Sequence, residues 1–144
     1  MTTYTILRLV LVVVAAAHLF LGAVAFVALP DMVTRWAAAT YGATITLTPP
    51  LQHAVRILGA FMLAIGVMAA FALRDPVRNR AIVDGIAILQ LLRVAQRLIF
   101  STQIQEAFAV PSGRLLLQSS FFLVLALVLL FLRPSDPTRV AARA

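Results

Sequence analysis

Four stretches of about 20 residues, each almost wholly apolar, constrain this chain more than anything else in it, because an α-helix of that length crosses a hydrocarbon core roughly 30 Å thick. Backbone N–H and C=O groups in such a solvent must be satisfied within the segment, so each run is expected to be helical. With 62% hydrophobic and 12% charged residues, a soluble monomer of this sequence would expose far too much apolar surface. The expected fold is an all-α membrane protein, a single domain over residues 1–144. Its four transmembrane helices lie at about residues 4–29, 51–73, 81–103 and 114–132 and form an up-down bundle, followed by a polar cytoplasmic tail at 133–144. The first run is too long for the apolar core of a typical signal peptide and its small-residue cleavage signal is weak, so it reads as a retained helix.

Pro30 ends the first run by removing a backbone donor, and Asp31 is placed to cap a short interfacial segment carrying Trp36 and Tyr41. Ala43-Thr44-Ile45-Thr46-Leu47-Thr48 alternates strictly, which predicts a partly extended outer loop between helices one and two, lying on the bundle. Pro49-Pro50 opens the second long helix. The turn at 74–80 is short, which makes helices two and three expected antiparallel neighbours.

All twelve basic residues are arginine, and the net charge is +7. Arg8, Arg74, Arg78, Arg80, Arg133, Arg139 and Arg143 fall on one side of the expected membrane, and only Arg35 and Arg114 flank the other. By the positive-inside rule both termini are cytoplasmic, and the expected location is a bacterial inner membrane. Nucleic acid is not an expected partner, because no basic stripe is interleaved with stacking aromatics. The absence of cysteine and lysine excludes disulfides, thiolate chemistry and lysine Schiff bases.

Within the apolar runs a few polar residues need explaining. Gln90, Arg93 and Arg97 fall within about 60° of one another on a helical wheel, with Ser101 continuing the stripe. By depth, Arg56, Arg97 and the deeper Arg93 form an arginine layer in the outer half of the bundle, joined by Gln118, Ser119 and Ser120. A charge at the centre of a bilayer costs roughly 2.5–3.5 kcal/mol on the insertion scale, so the layer needs compensation. The acids do not supply it: Asp31 and Glu106 are expected at the surface, and Asp84 is best placed to pair with Arg8. Either the guanidiniums bond to loop carbonyls and amides and snorkel outward, or they hold an anion such as a lipid phosphate, a substrate carboxylate or an acid on a partner. His53, three residues before Arg56, shares its helical face. Gly59, Leu63, Gly66 and Ala70 continue that face and favour close helix packing.

His18 stands near the middle of helix one. It is a candidate ligand for haem or a chlorophyll magnesium, although a lone histidine there more often serves an interhelical hydrogen bond. His18 and His53 differ too much in depth to share a metal, and no metal site is expected. No paired carboxylates, zinc motif, phosphate loop or nucleophile with a base is present, so no catalytic residue is assigned.

Leu29-Pro30-Asp31 closing helix one, Arg56-Ile57-Leu58-Gly59 with Gly66 in helix two, and Arg93 or Arg97 in helix three resemble small bacterial membrane proteins of the DoxX-like kind. The resemblance implies a four-helix bundle that sometimes acts as the membrane subunit beside a quinone-linked oxidoreductase. The first expectation is thus a non-enzymatic accessory or assembly subunit of a larger membrane complex. Arg56, Arg93, Arg97, Gln90 and His53 would contact a protein partner, a second copy or a lipid headgroup. The alternatives are a quinone- or small-molecule-binding subunit using the same arginines, and a pigment- or haem-binding subunit using His18. No cofactor is required by the sequence, and haem, chlorophyll and quinone all remain open.

Overall fold

The computed structural model describes residues 3–27 and 29–134. Among the described residues the regular structure is all helical, with no strand. Its elements are α1 (Thr3–Val27), α2 (Pro30–Trp36), a π-helical turn (Ala37–Tyr41), α3 (Pro49–Arg74), α4 (Arg80–Ile99), α5 (Ser101–Phe108) and α6 (Ser112–Leu132). Three of these, α1, α3 and α6, are long and apolar enough to cross a membrane. The remaining long helix, α4, carries Arg80, Asp84, Arg93 and Arg97.

Proline chemistry sets the boundaries. Leu29 is the extended N-cap of α2, with Pro30 at the first helical position, where the missing N–H is no loss. Asp31 therefore sits in the first turn of α2 and does not cap it, contrary to expectation. Its carboxylate there favours the positive end of the helix dipole. Thr48 likewise precedes Pro49-Pro50 in extended conformation. At the far end of α3, Asp75 is driven out of helical conformation (φ −143°, ψ 89°) by Pro76, and the Asn79 side chain donates to the carbonyls of Phe71 and Asp75.

Two helix pairs make up the assembly. The most extensive contact is between α1 and α3, followed by that between α4 and α6. In the first pair a Cβ on Gly59 would land on the backbone of Ala25 and Phe26, and one on Gly22 would lie 2.8 Å from the Leu63 nitrogen. Gly66 meets Leu19 in the same way, so the helices run antiparallel with their backbones in near contact. The second pair is also antiparallel, with Arg97 opposite Gln118 and Asp84 opposite Arg133. Despite the short turn between them, α3 and α4 touch far less than either pair does. The expectation that these two would be close neighbours is thus only weakly met, because the glycine face of α3 is used against α1.

At the end formed by the α3–α4 turn, here the turn end, Leu7, Leu11, Ala69, Val83, Ile86 and Leu129 close a dry core shared by all four long helices. At the opposite end, the cap end, Ala43, Val110 and Leu115 form a smaller cluster beneath α2, the π-helical turn and α5. The alternating segment runs over this cluster. Ala43 is buried and Ile45 and Leu47 are half-buried, whereas Thr44, Thr46 and Thr48 are exposed. The Thr44 N–H donates to the Phe108 carbonyl, at 2.8 Å, which ties the segment to α5 without making a strand.

The expected third helix of residues 81–103 is two helices. The chain breaks at Phe100 (φ −104°, ψ 23°), and α5 continues through Phe108 where an open loop was expected. The tail from residue 135 onward lies outside the described residues, with Arg139 and Arg143 in it.

Candidate binding site at the cap end

The polar stripe of α4 points at α6. The Arg97 guanidinium donates to Gln118 Oε1 at 2.6 Å, and Gln118 Nε2 donates to the Thr40 carbonyl at 2.9 Å. These two partners determine which way the amide faces, since only its oxygen can accept from arginine and only its NH₂ can donate to a carbonyl. Gln118 thus links α4, α6 and the π-helical turn in one chain of hydrogen bonds. Arg114 adds a second tie from α6 to the same turn through the Ala39 carbonyl, at 3.1 Å.

One turn deeper, Arg93 donates to Gln90 Oε1 at 3.3 Å. The Phe122 ring centroid lies 5.4 Å from the Arg93 guanidinium and 5.2 Å from that of Arg97, and Tyr41 lies 5.6 Å from Arg97. Such contacts are worth about 0.5–2 kcal/mol each, but they neutralise no charge. Neither arginine has a carboxylate partner among the described residues. Each guanidinium carries five donors and each makes one side-chain hydrogen bond here, which leaves donors to spare.

Arg56 and His53 do not join this group. Both are exposed on the first turns of α3 and have no hydrogen-bonding or ionic partner among the described residues. The expected layer of three arginines is therefore a pair. The reason lies in the register: Gly59 already faces Phe26, and α1 ends at Val27, so Arg56 stands beyond the end of the helix that would have covered it. Asp84 also departs from expectation. It pairs with Arg80 and Arg133, at 3.7 and 3.9 Å, and not with Arg8, which is exposed.

Gln90 is fully buried (0% exposed) and its Nε2 has no partner among the described residues. His18, 5% exposed, directs Nδ1 to the Val14 carbonyl at 2.8 Å. A carbonyl only accepts, so the proton is on Nδ1 and the unpartnered Nε2 carries a lone pair. The His18 ring is enclosed by its own bundle, and its Nε2 is buried in this structure. No group of three histidines or acids could hold a metal among the described residues.

Between the two helix pairs, under the cap, is a recess of about 410 Å³. Its walls are mostly apolar, with Val24 from α1, Leu58 and Met62 from α3, and Trp36 from α2. Its polar lining is Arg97, Gln96, Gln118, Tyr41 and Thr40, and all of these but Gln96 are linked to one another above. His18 and Arg93 do not line it. Of the serines placed in the layer, Ser119 turns back to the Leu115 carbonyl of its own helix and Ser120 is exposed.

Sequence reasoning did not assign Tyr41, Thr40 or Phe122 to the site. Phe122 was within reach of it, since it follows Gln118 by four residues and so shares its helical face. Tyr41 and Thr40 carried no such signal, because the π-helical turn that aims them has no sequence period of its own. No family model, curated protein or solved structure matches this chain.

Proposed function

We propose that the chain is a four-span membrane protein that binds a small amphipathic molecule in the recess under its cap. The carrying observation is an apolar cavity of about 410 Å³ with an un-neutralised guanidinium, Arg97, in its wall. Pockets of this kind, mostly apolar with a few convergent polar groups, are the usual form of small-molecule sites. In this reading α4 is the fourth span. Its 20 residues extend about 30 Å, and its charged face is turned toward α6 and the chain ends. The arginines clustered at the turn end support a reading in which that end, with both termini, is on the cytoplasmic side of a bacterial inner membrane and the recess is in the outer half.

The natural absence of cysteine makes the topology directly testable. A single cysteine at Thr46 should react with a membrane-impermeant maleimide in intact cells, and one at Arg78 only after lysis; the reverse pattern would sink the proposed orientation. Binding is tested by extracting the purified protein with organic solvent and identifying released small molecules by mass spectrometry. The expected result is a retained amphiphile whose yield falls in Arg97→Gln.

A second reading, an accessory subunit of a larger membrane complex related to the DoxX-like proteins, is favoured by one observation. Arg56 is exposed on α3, about 10 Å from its first residue, with no partner of its own in the described residues. A lipid headgroup or an acidic residue of another subunit would suit it. Purification in mild detergent followed by cross-linking from position 56 distinguishes the two, since a protein partner gives a defined heavier band and a lipid does not. No catalytic role is proposed for any residue.

A further inference from the structure

Resting on the binding role proposed for the recess, we infer the class of its ligand: a single acyl chain carrying an anionic head, held by Arg97. Charge decides this first. Arg97 lines the recess, has no carboxylate partner among the described residues, and uses one side-chain hydrogen bond there, to a neutral amide. A neutral head such as a quinone carbonyl would accept a hydrogen bond but leave the charge uncompensated in apolar surroundings. A carboxylate or phosphate satisfies both demands, and charge-assisted bonds are roughly twice as strong as neutral ones.

Shape decides the rest. Beyond Arg97, Gln96, Gln118, Tyr41 and Thr40 the walls are aliphatic or aromatic, which suits a hydrocarbon chain. At about 410 Å³ the cavity lies toward the small end of the roughly 300–1,000 Å³ range of ligand sites, favouring one chain over the two of a diacyl lipid. The head has two sources, a free fatty-acid carboxylate or the phosphate of a lysolipid. Gln118 adds a consequence. A head that draws Arg97 away from its Oε1 disturbs the residue whose amide also holds the Thr40 carbonyl of the cap.

The experiment uses the full chain in phosphatidylcholine nanodiscs and equilibrium binding of radiolabelled palmitate, hexadecanol, lysophosphatidate and decylubiquinone. We expect palmitate or lysophosphatidate to bind at least about tenfold more tightly than hexadecanol, and Arg97→Gln to remove that preference. Palmitate alone would identify the carboxylate source, and lysophosphatidate alone the lipid source. Equal binding of acid and alcohol, or a preference that survives in Arg97→Gln, overturns the inference. Binding of decylubiquinone or hexadecanol without either anion overturns it too but leaves the recess as a binding site. Binding of none of the four removes both proposals. The acid-versus-alcohol comparison is made on the unsubstituted protein, so it decides the matter even if Arg97→Gln fails to fold.

Discussion

At the turn end, Asp84 stands between Arg80 and Arg133 at 3.7 and 3.9 Å, whereas at the cap end Arg93 and Arg97 face, among the described residues, amide oxygens and aromatic rings. The two ends also pack differently. The turn end closes a core from all four long helices, while at the cap end the helix pairs part around a recess. At the turn end the charges are paired and the space is filled, although Asp84 Oδ1 accepts no hydrogen bond among the described residues. A region with surplus donors beside an apolar cavity is arranged for something that is not part of the chain. Function is therefore sought where the packing and the charge are both incomplete.

The strongest way to break this comparison is through the helix pair that both ends share. Gly59→Leu puts a side chain into the backbone of α1 and should cost about 3 kcal/mol or more, read as loss of monodisperse protein or a large fall in Tm in detergent. Gly85→Ala is the matched control. Nothing lies within 4 Å of its Cβ position, so helix propensity alone should make it neutral or stabilising by up to about 1 kcal/mol.

Next in size is Gln118→Leu, which removes both the acceptor of Arg97 and the donor to Thr40. A loss of about 1–2 kcal/mol is expected, with faster hydrogen exchange confined to residues 37–48. Faster exchange at the turn end instead would show that the cap is not held by this residue. Asp84→Asn should cost about 1 kcal/mol or less, because its arginine partners are partly exposed and the pairs are long. A larger fall in Tm would mean that the turn end depends on its charge pairing more than its exposure implies.

The smallest effect is expected at His18. Replacing it by Leu removes the unpartnered buried Nε2 and loses only a bond within its own helix, so Tm should be unchanged or slightly higher. A marked destabilisation would reveal a partner for that nitrogen.

Much of this was legible in residue order. The apolar runs, the stops at Pro30 and Pro76, and the Gln90–Arg93–Arg97 stripe are local features, governed by backbone hydrogen bonding and helical period. Gly59 and Gly66 could be assigned to a close interface because small residues leave no other use for that face. The break at Phe100 was hidden, since Ser101-Thr102-Gln103-Ile104 continues a helical composition and no proline or glycine marks the kink. Gln118 was placed at the right depth, but its link to Thr40 spans 78 positions and has no local trace.

The sequence by itself determined that the chain is helical, that α1, α3 and α6 are apolar enough to span, and that Gln90, Arg93 and Arg97 share one face of α4. Only the tertiary structure decided which helix meets which. Backbone contact at Gly22 and Gly59 commits α3 to α1, so α4 turns to α6 even though α3 is its neighbour in sequence. That choice brings Arg97 onto Gln118 and leaves Arg56 beyond the end of α1. Helix formation is settled residue by residue through hydrogen bonds a few positions apart, whereas partner choice depends on how whole surfaces fit.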